Sequence, residues 1–271
     1  MSFFQWAQNP WGQDIMVRIS WNLFWLALAG GALFVIGHLV YRSKHPEPKP
    51  TEPSGEAALP DKIVRHSLAS RLFHWSMTVA VFTLLVTGFF PVLGIQFDWL
   101  TIHWLAGVLF VGTVVFHIIH ASFWLRLRDM WISSADWREF KQEIANVAGG
   151  GPPPPKPGKY PVDQKLFHAL ITLASFGVIL TGLFMMVRVE NPVFTRNSYL
   201  LSDSTWGWVY VLHGLSAVGL VTMIVAHVYF AVLPEKRWMT ISMIAGWITK
   251  KDYLAHHDPK RWVVTEQAKQ P

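Results

Sequence analysis

The stretch WGWVYVLHGLSAVGLVTMIVAHVYFAVL, residues 206–233, decides the fold. It contains no Asp, Glu, Lys or Arg and is long enough to cross a bilayer as a helix, which takes about 20 apolar residues. A soluble surface helix needs a polar face, and this segment has none. Its two histidines are His213 and His227. At about 1.5 Å per residue, their spacing puts them roughly 21 Å apart along one axis. Fourteen residues is close to four turns, so both imidazoles share a face. That is the geometry for two haems stacked across a membrane, each taking one ligand from this helix.

Working outward, four more segments are long and apolar enough to span: Trp21–Tyr41, Leu72–Leu93, Leu100–Leu125 and Val162–Val187. The expected fold class is therefore an all-α membrane protein, a transmembrane helical bundle of five spans. Composition agrees. Of 271 residues, 52% are hydrophobic and 15% charged, against roughly 25% charged in soluble domains. This excludes intrinsic disorder and an ordinary soluble domain. There is no cysteine, which excludes disulfides, thiolate zinc sites, cysteine-ligated clusters and thioether-linked haem within this chain. A cofactor would rest on the 12 histidines, methionine, carboxylates or packing.

The net charge of +6 does not point to nucleic acid, because the basic residues flank apolar spans. Six Lys and Arg lie between spans one and two, seven from Arg126 to Lys165, and seven in the tail; only Arg18, Arg188 and Arg196 fall on the other side. By the positive-inside rule the N-terminus is periplasmic and the C-terminus cytoplasmic in a bacterial inner membrane. The chain then divides into a periplasmic N-terminus (1–20), an anchor (21–41) and a cytoplasmic Pro-rich linker (42–71). A four-helix core follows (72–233), with a cytoplasmic loop (126–161) and a cytoplasmic tail (234–271). The first span reads as a retained anchor, a cleaved signal being the alternative. Within the loop, residues 130–147 alternate apolar with charged side chains, as in a helix lying on the inner surface.

Ionisable side chains inside spans are costly and mark function. On this topology His103 and His213 share the outer level, and His74 and His227 the inner one. Two imidazoles per iron fill both axial positions and suit electron transfer. A rival pairing stays open on spacing alone, because His117 also lies fourteen residues after His103. His120 sits one turn further, at the inner rim. His256–His257 looks like a metal pair, but adjacent residues on a helix point apart, which favours a structural role.

Several stretches resemble the membrane cytochrome b (gamma) subunits of respiratory formate dehydrogenases. They are Arg71-Leu-Phe-His74-Trp75 with Thr87-Gly88, His103-Trp-Leu-Ala-Gly107, and Gly158-Lys-Tyr160 with Gln164-Lys165 and Thr181-Gly182. To these add His213, His227-Val-Tyr229, and the tail from Met243-Ile-Ala-Gly246 through His256-His257-Asp-Pro-Lys-Arg-Trp262. The likeness covers roughly residues 65–262. It implies two haem b, with His74 paired to His227 and His103 to His213. It implies electron flow from an iron–sulfur subunit and a periplasmic molybdenum or tungsten catalytic subunit to menaquinone or ubiquinone, reduced near the cytoplasmic face. The chain itself would not transform the substrate. Other implied partners are membrane lipid and further copies of the complex. Two features depart from the family: its shorter members lack the first span, and they carry Asn where this chain has Pro161.

The quinone candidates are Gln164, Tyr160 and His168, polar groups near the inner level able to hydrogen-bond a carbonyl and relay protons. Arg71, one turn before His74, is a candidate partner for a haem propionate. Gly88, Gly107 and Gly182 lack a Cβ and would let a helix approach a porphyrin, Gly107 being the first choice. Two other readings remain. One is the cytochrome b of a [NiFe]-hydrogenase or another periplasmic oxidoreductase. The other is a haem-free transporter using histidine relays, disfavoured by the lack of inverted repeats and of acidic residues in the spans.

Overall fold

A computed structural model describes residues 2–45 and 59–264. Five of its helices are long and apolar enough to cross a membrane, each with mean hydropathy of 2.0 or above. They are α1 (Trp21–Lys44), α2 (Leu68–Phe89, continued by a 3-10 turn to Leu93), α3 (Trp99–Trp124), α5 (Val162–Met186) and α6 (Asp203–Val232). The expectation of an all-α membrane protein with five spans holds. The ends agree with the sequence reading or differ by up to four residues, because polar residues such as Asp203 and Ser70 extend a helix past its apolar stretch. Large apolar side chains such as Val79, Phe123 and Leu173 stand 62%, 77% and 71% exposed. Such faces are stable against hydrocarbon, and a helix satisfies its own backbone there.

The chain forms two compact units. The first comprises Met1–Lys44, Ser76–Val114 and Leu170–Tyr229. It opens with an antiparallel hairpin, β1 (Phe4–Gln8) and β2 (Asp14–Ile19), which the sequence reading did not anticipate. The Asn9 side-chain carbonyl closes the turn by accepting from the backbone N–H of Trp11 and Gln13. Met16 and Ile19 of β2 pack with Val211 and Val218 of α6. The approach is close, since a Cβ on Gly207 would collide with the Met16 carbonyl oxygen. α1 follows α6 toward its other end, where His38 Nδ1 and the Tyr229 hydroxyl are 2.7 Å apart.

The second unit comprises His45–Trp75, Val115–Ala169 and Phe230–Pro271. Here lies the amphipathic helix expected in the loop, α4 (Ser134–Val147), started by a capping box in which Ser133 and Asp136 exchange hydrogen bonds. Burial works against charge on Asp136, but the bonds from Ser133 and Lys165 outweigh it and hold its carboxyl below the ordinary range. The segments expected as linker and tail are partly structured. β3 (Lys62–Val64) pairs antiparallel with β4 (Trp247–Thr249), flanked by α7 (Arg237–Ala245) and α8 (Lys250–His256). Ile63, Ile248, Tyr253 and Trp262 make its core. Residues 46–58 and 265–271, read as linker and tail, lie outside the described residues.

Candidate haem site

In the first unit, α3 and α6 bring His103 and His213 together, with ring centres 6.3 Å apart and ring planes at 65°. Each ring is held by the same device from a neighbouring helix. Thr87 Oγ1, on α2, is 2.8 Å from His103 Nδ1. Thr181 Oγ1, on α5, is 2.9 Å from His213 Nδ1. Both hydroxyls already donate to helical carbonyls, Thr87 to Thr83 and Thr181 to Gly177. Each oxygen must therefore accept from its histidine. Nδ1 then carries the ring proton, and Nε2 keeps the lone pair that binds a metal. Fixing ring and tautomer from behind is the usual arrangement for a ligating histidine.

The residue after each threonine completes the site. A Cβ on Gly88 would lie 3.6 Å from His103 Cε1, and one on Gly182 would lie 3.5 Å from His213 Cε1. Both are ordinary van der Waals distances, so an alanine would touch the ring and only a residue larger than alanine would press on it. Gly107, the sequence's first choice, instead meets Leu84. Two imidazoles on one metal, at bond lengths of about 2.0 Å, have ring centres roughly 6 Å apart, which the observed separation matches. Among the described residues, no three His, Cys, Asp or Glu side chains converge. The donor set is thus a pair of imidazoles, as haem iron takes, and not a tetrahedral cluster. The residues present fit haem b.

The remaining candidates are distributed as follows. His227 is on α6, the helix of His213, fourteen residues on. His74 lies in the second unit, beside Trp75. His117 stacks on Phe73 with ring centres 4.1 Å apart, and stands 6.3 Å from His168. His120 lies between Phe116 and Trp124. Arg71 donates to the Ile244 carbonyl at the end of α7, at 2.8 Å, while its Nε has no hydrogen-bond partner among the described residues. Gln164 and His168 share a face of α5, one turn apart, and Gln164 donates to Met239 Sδ at 3.1 Å. Tyr160 precedes that helix, and burial raises its phenol above the ordinary value. Lys159 beside it is lowered to about 8 by burial and then by Arg65.

His257 takes the structural role expected of it. Its Nε2 accepts from Arg65 at 3.1 Å and its Nδ1–H donates to the Gly158 carbonyl at 2.7 Å. Arg65 is caged by Trp238 and Trp262. His256 stacks on Trp238. Thr87 and Thr181 stood in the motifs quoted from the sequence, but only as part of the resemblance and with no role of their own. Their signal was the Thr-Gly pair repeated on two spans.

Residues 65–246 match the prokaryotic cytochrome b561 family. The chain belongs to that family. It is accordingly a multi-pass inner-membrane protein that binds haem b. The chain is also similar to the formate dehydrogenase cytochrome b556 subunit of Haemophilus influenzae. The two are 26% identical over 219 residues, covering 74% of this chain and 82% of that one. It is 29% identical over 220 residues to the formate dehydrogenase cytochrome b556(fdo) subunit of Escherichia coli K12, covering 74% and 92%. The hairpin and α1 of this cytochrome b precede the family match.

Proposed function

We propose that this cytochrome b is the di-haem membrane subunit of a respiratory formate dehydrogenase. It carries electrons from a periplasmic iron–sulfur subunit and its molybdenum- or tungsten-dependent partner to menaquinone or ubiquinone near the cytoplasmic face. The observation that carries the reading is the paired His103–His213 site with its two threonine buttresses. The similarity to two formate dehydrogenase subunits supplies the partner.

Haem b held by these histidines would supply a one-electron carrier. The protein's part is to hold and insulate it. His103 and His213 present Nε2 lone pairs because Thr87 and Thr181 fix the opposite nitrogens. The spacing along α6 supports His227 as a second ligand about 21 Å from His213, and the sequence resemblance supports His74 as its partner. Twenty of the 23 basic residues lie on one side, which supports a periplasmic N-terminus and a cytoplasmic C-terminus. On that topology we divide the chain into 1–20, 21–41, 42–71, 72–233 and 234–271, with the β3–β4 pair on the inner side. Gln164, His168 and Tyr160 would bind quinone there and deliver its protons. One observation favours a second reading of the inner ligands. His117 faces His168 at the ring separation seen for His103 and His213.

The test is to purify the tagged chain with its partners from haem-replete membranes. Formate should reduce its b-type absorbance, and a soluble quinone analogue should reoxidise it. Reduction by hydrogen and not by formate would move the chain to the hydrogenase reading. A colourless protein would revive the transporter.

A further inference from the structure

The N-terminal extension precedes the family match, yet it is built into the first unit at the candidate haem site. Its strand β2 lies against α6 through Gly207, and Ile19 lies against Gly214, the residue after His213. The Asn9 amide reaches Asp203 at 3.4 Å. This docking fixes the side of β2 that carries Arg18.

Arg18 lines an open cleft of about 480 Å³, together with Trp21, Thr87, Gly88, Pro91, Val92 and Trp99. That volume is within the range of small-molecule and cofactor sites. Thr87 hydrogen-bonds the His103 ring and Gly88 lies beside it, so the cleft opens near that imidazole. Its walls are mostly apolar and aromatic, and Arg18 is the only charged residue among those lining it. The guanidinium is held from one side: Nε donates to Gln5 Oε1, and Cζ lies 5.6 Å from the Trp21 ring centre. Its two terminal nitrogens make no hydrogen bond to the described residues. Arg188, by contrast, is committed to the Tyr210 hydroxyl at 2.8 Å and to the Trp206 ring.

An apolar cleft with one fixed cation suits a flat apolar ligand edged by carboxylate, because the guanidinium fork matches a carboxylate in two parallel bonds. We propose that Arg18 pairs with a propionate of the haem held by His103 and His213, so that the N-terminal extension sets the potential of that haem. This rests on the reading of His103 and His213 as haem ligands. A cation at this edge favours the reduced, less positive haem, and its removal lowers the potential. The other source of an anion for the cleft is a lipid phosphate.

The test is a redox titration of the purified full chain, followed at the b-type absorbance, for wild type, Arg18→Gln and Arg18→Lys. The outer component is assigned as the one missing from His103→Ala. Arg18 is exposed, so its variants should fold. The expected result is a downward shift of the outer component alone in Arg18→Gln, largely restored in Arg18→Lys. Superimposable curves for wild type and Arg18→Gln would overturn the proposal. So would a wild-type outer component that drops to the Arg18→Gln value in nanodiscs lacking anionic lipid, since the anion would then be lipid. A wild-type chain without haem would instead overturn the proposed function.

Discussion

Replacing Thr87 or Thr181 by Val tests the haem site most finely, because it removes one hydroxyl and keeps the shape. In wild type each hydroxyl passes its own proton to a helical carbonyl and accepts the imidazole Nδ1–H, at 2.8 Å for His103 and 2.9 Å for His213. In Thr87→Val that buried N–H keeps no acceptor among the described residues, whereas in Thr181→Val the Val178 carbonyl remains beside His213 and makes the loss the smaller of the two. An unsatisfied buried donor costs about 1–3 kcal/mol, which corresponds to roughly 5- to 150-fold in affinity at about 1.4 kcal/mol per tenfold. The bracket overlaps the 10- to 100-fold typical of losing a partner behind a metal ligand. The assay is competition for haem with an apo-globin, followed by titration of the haem retained. Thr87→Val should lose the outer haem faster by this factor, and Thr181→Val by less. The potential of that haem should rise, because a less basic imidazole stabilises the oxidised iron less. The inner component should not move. Unchanged haem retention and potential in both variants would refute the reasoning.

Three further outcomes follow from other parts of the molecule. Gly207→Ala forces a methyl group into the Met16 carbonyl; overpacking of this kind costs about 1–3 kcal/mol, and limited proteolysis should cut the hairpin sooner while haem is retained. His257 is pushed down to about 3 by burial and then by the Arg65 charge. Its unfolded form takes up a proton near pH 6.5 while the folded form stays neutral. Thermal stability should therefore be full above that pH and fall progressively as pH drops from about 6.5 toward 3, with a shallower fall in His257→Asn. Gln164→Leu removes a donor from the proposed quinone pocket and should lower quinone reduction about tenfold at constant haem content, as a lost polar contact in an apolar site does.

The five spans were legible because a membrane imposes a coarse rule: about 20 apolar residues in a row, whatever their order. The face shared by His213 and His227 followed from helical period alone. The hairpin was missed although Asn9-Pro10-Trp11-Gly12 reads as a turn, because its strands are short and run directly into the first span. The β3–β4 pair joins residues more than 180 positions apart, and three-residue strands leave no periodic trace. At the haem site, spacing favoured Gly107 because it lies one turn from His103. A residue on the ligand's own helix stacks along the axis, however, and the space around an imidazole is set by neighbouring helices. That is why Gly88 and Gly182 face the rings, and why Thr87 and Thr181 acquire a role that only the packing of α2 on α3 and α5 on α6 reveals.

The proposed function requires two haems, one between His103 and His213 and one between His74 and His227. Its most direct measurement is a pyridine haemochrome count per chain, with reduced-minus-oxidised spectra, for wild type and for His74→Ala, His103→Ala, His117→Ala and His213→Ala. The account predicts two haem b in wild type, one in His103→Ala, His213→Ala and His74→Ala, and two in His117→Ala. One haem in His117→Ala with two in His74→Ala would move the inner ligand to α3, and a wild-type chain with no haem would contradict the account outright.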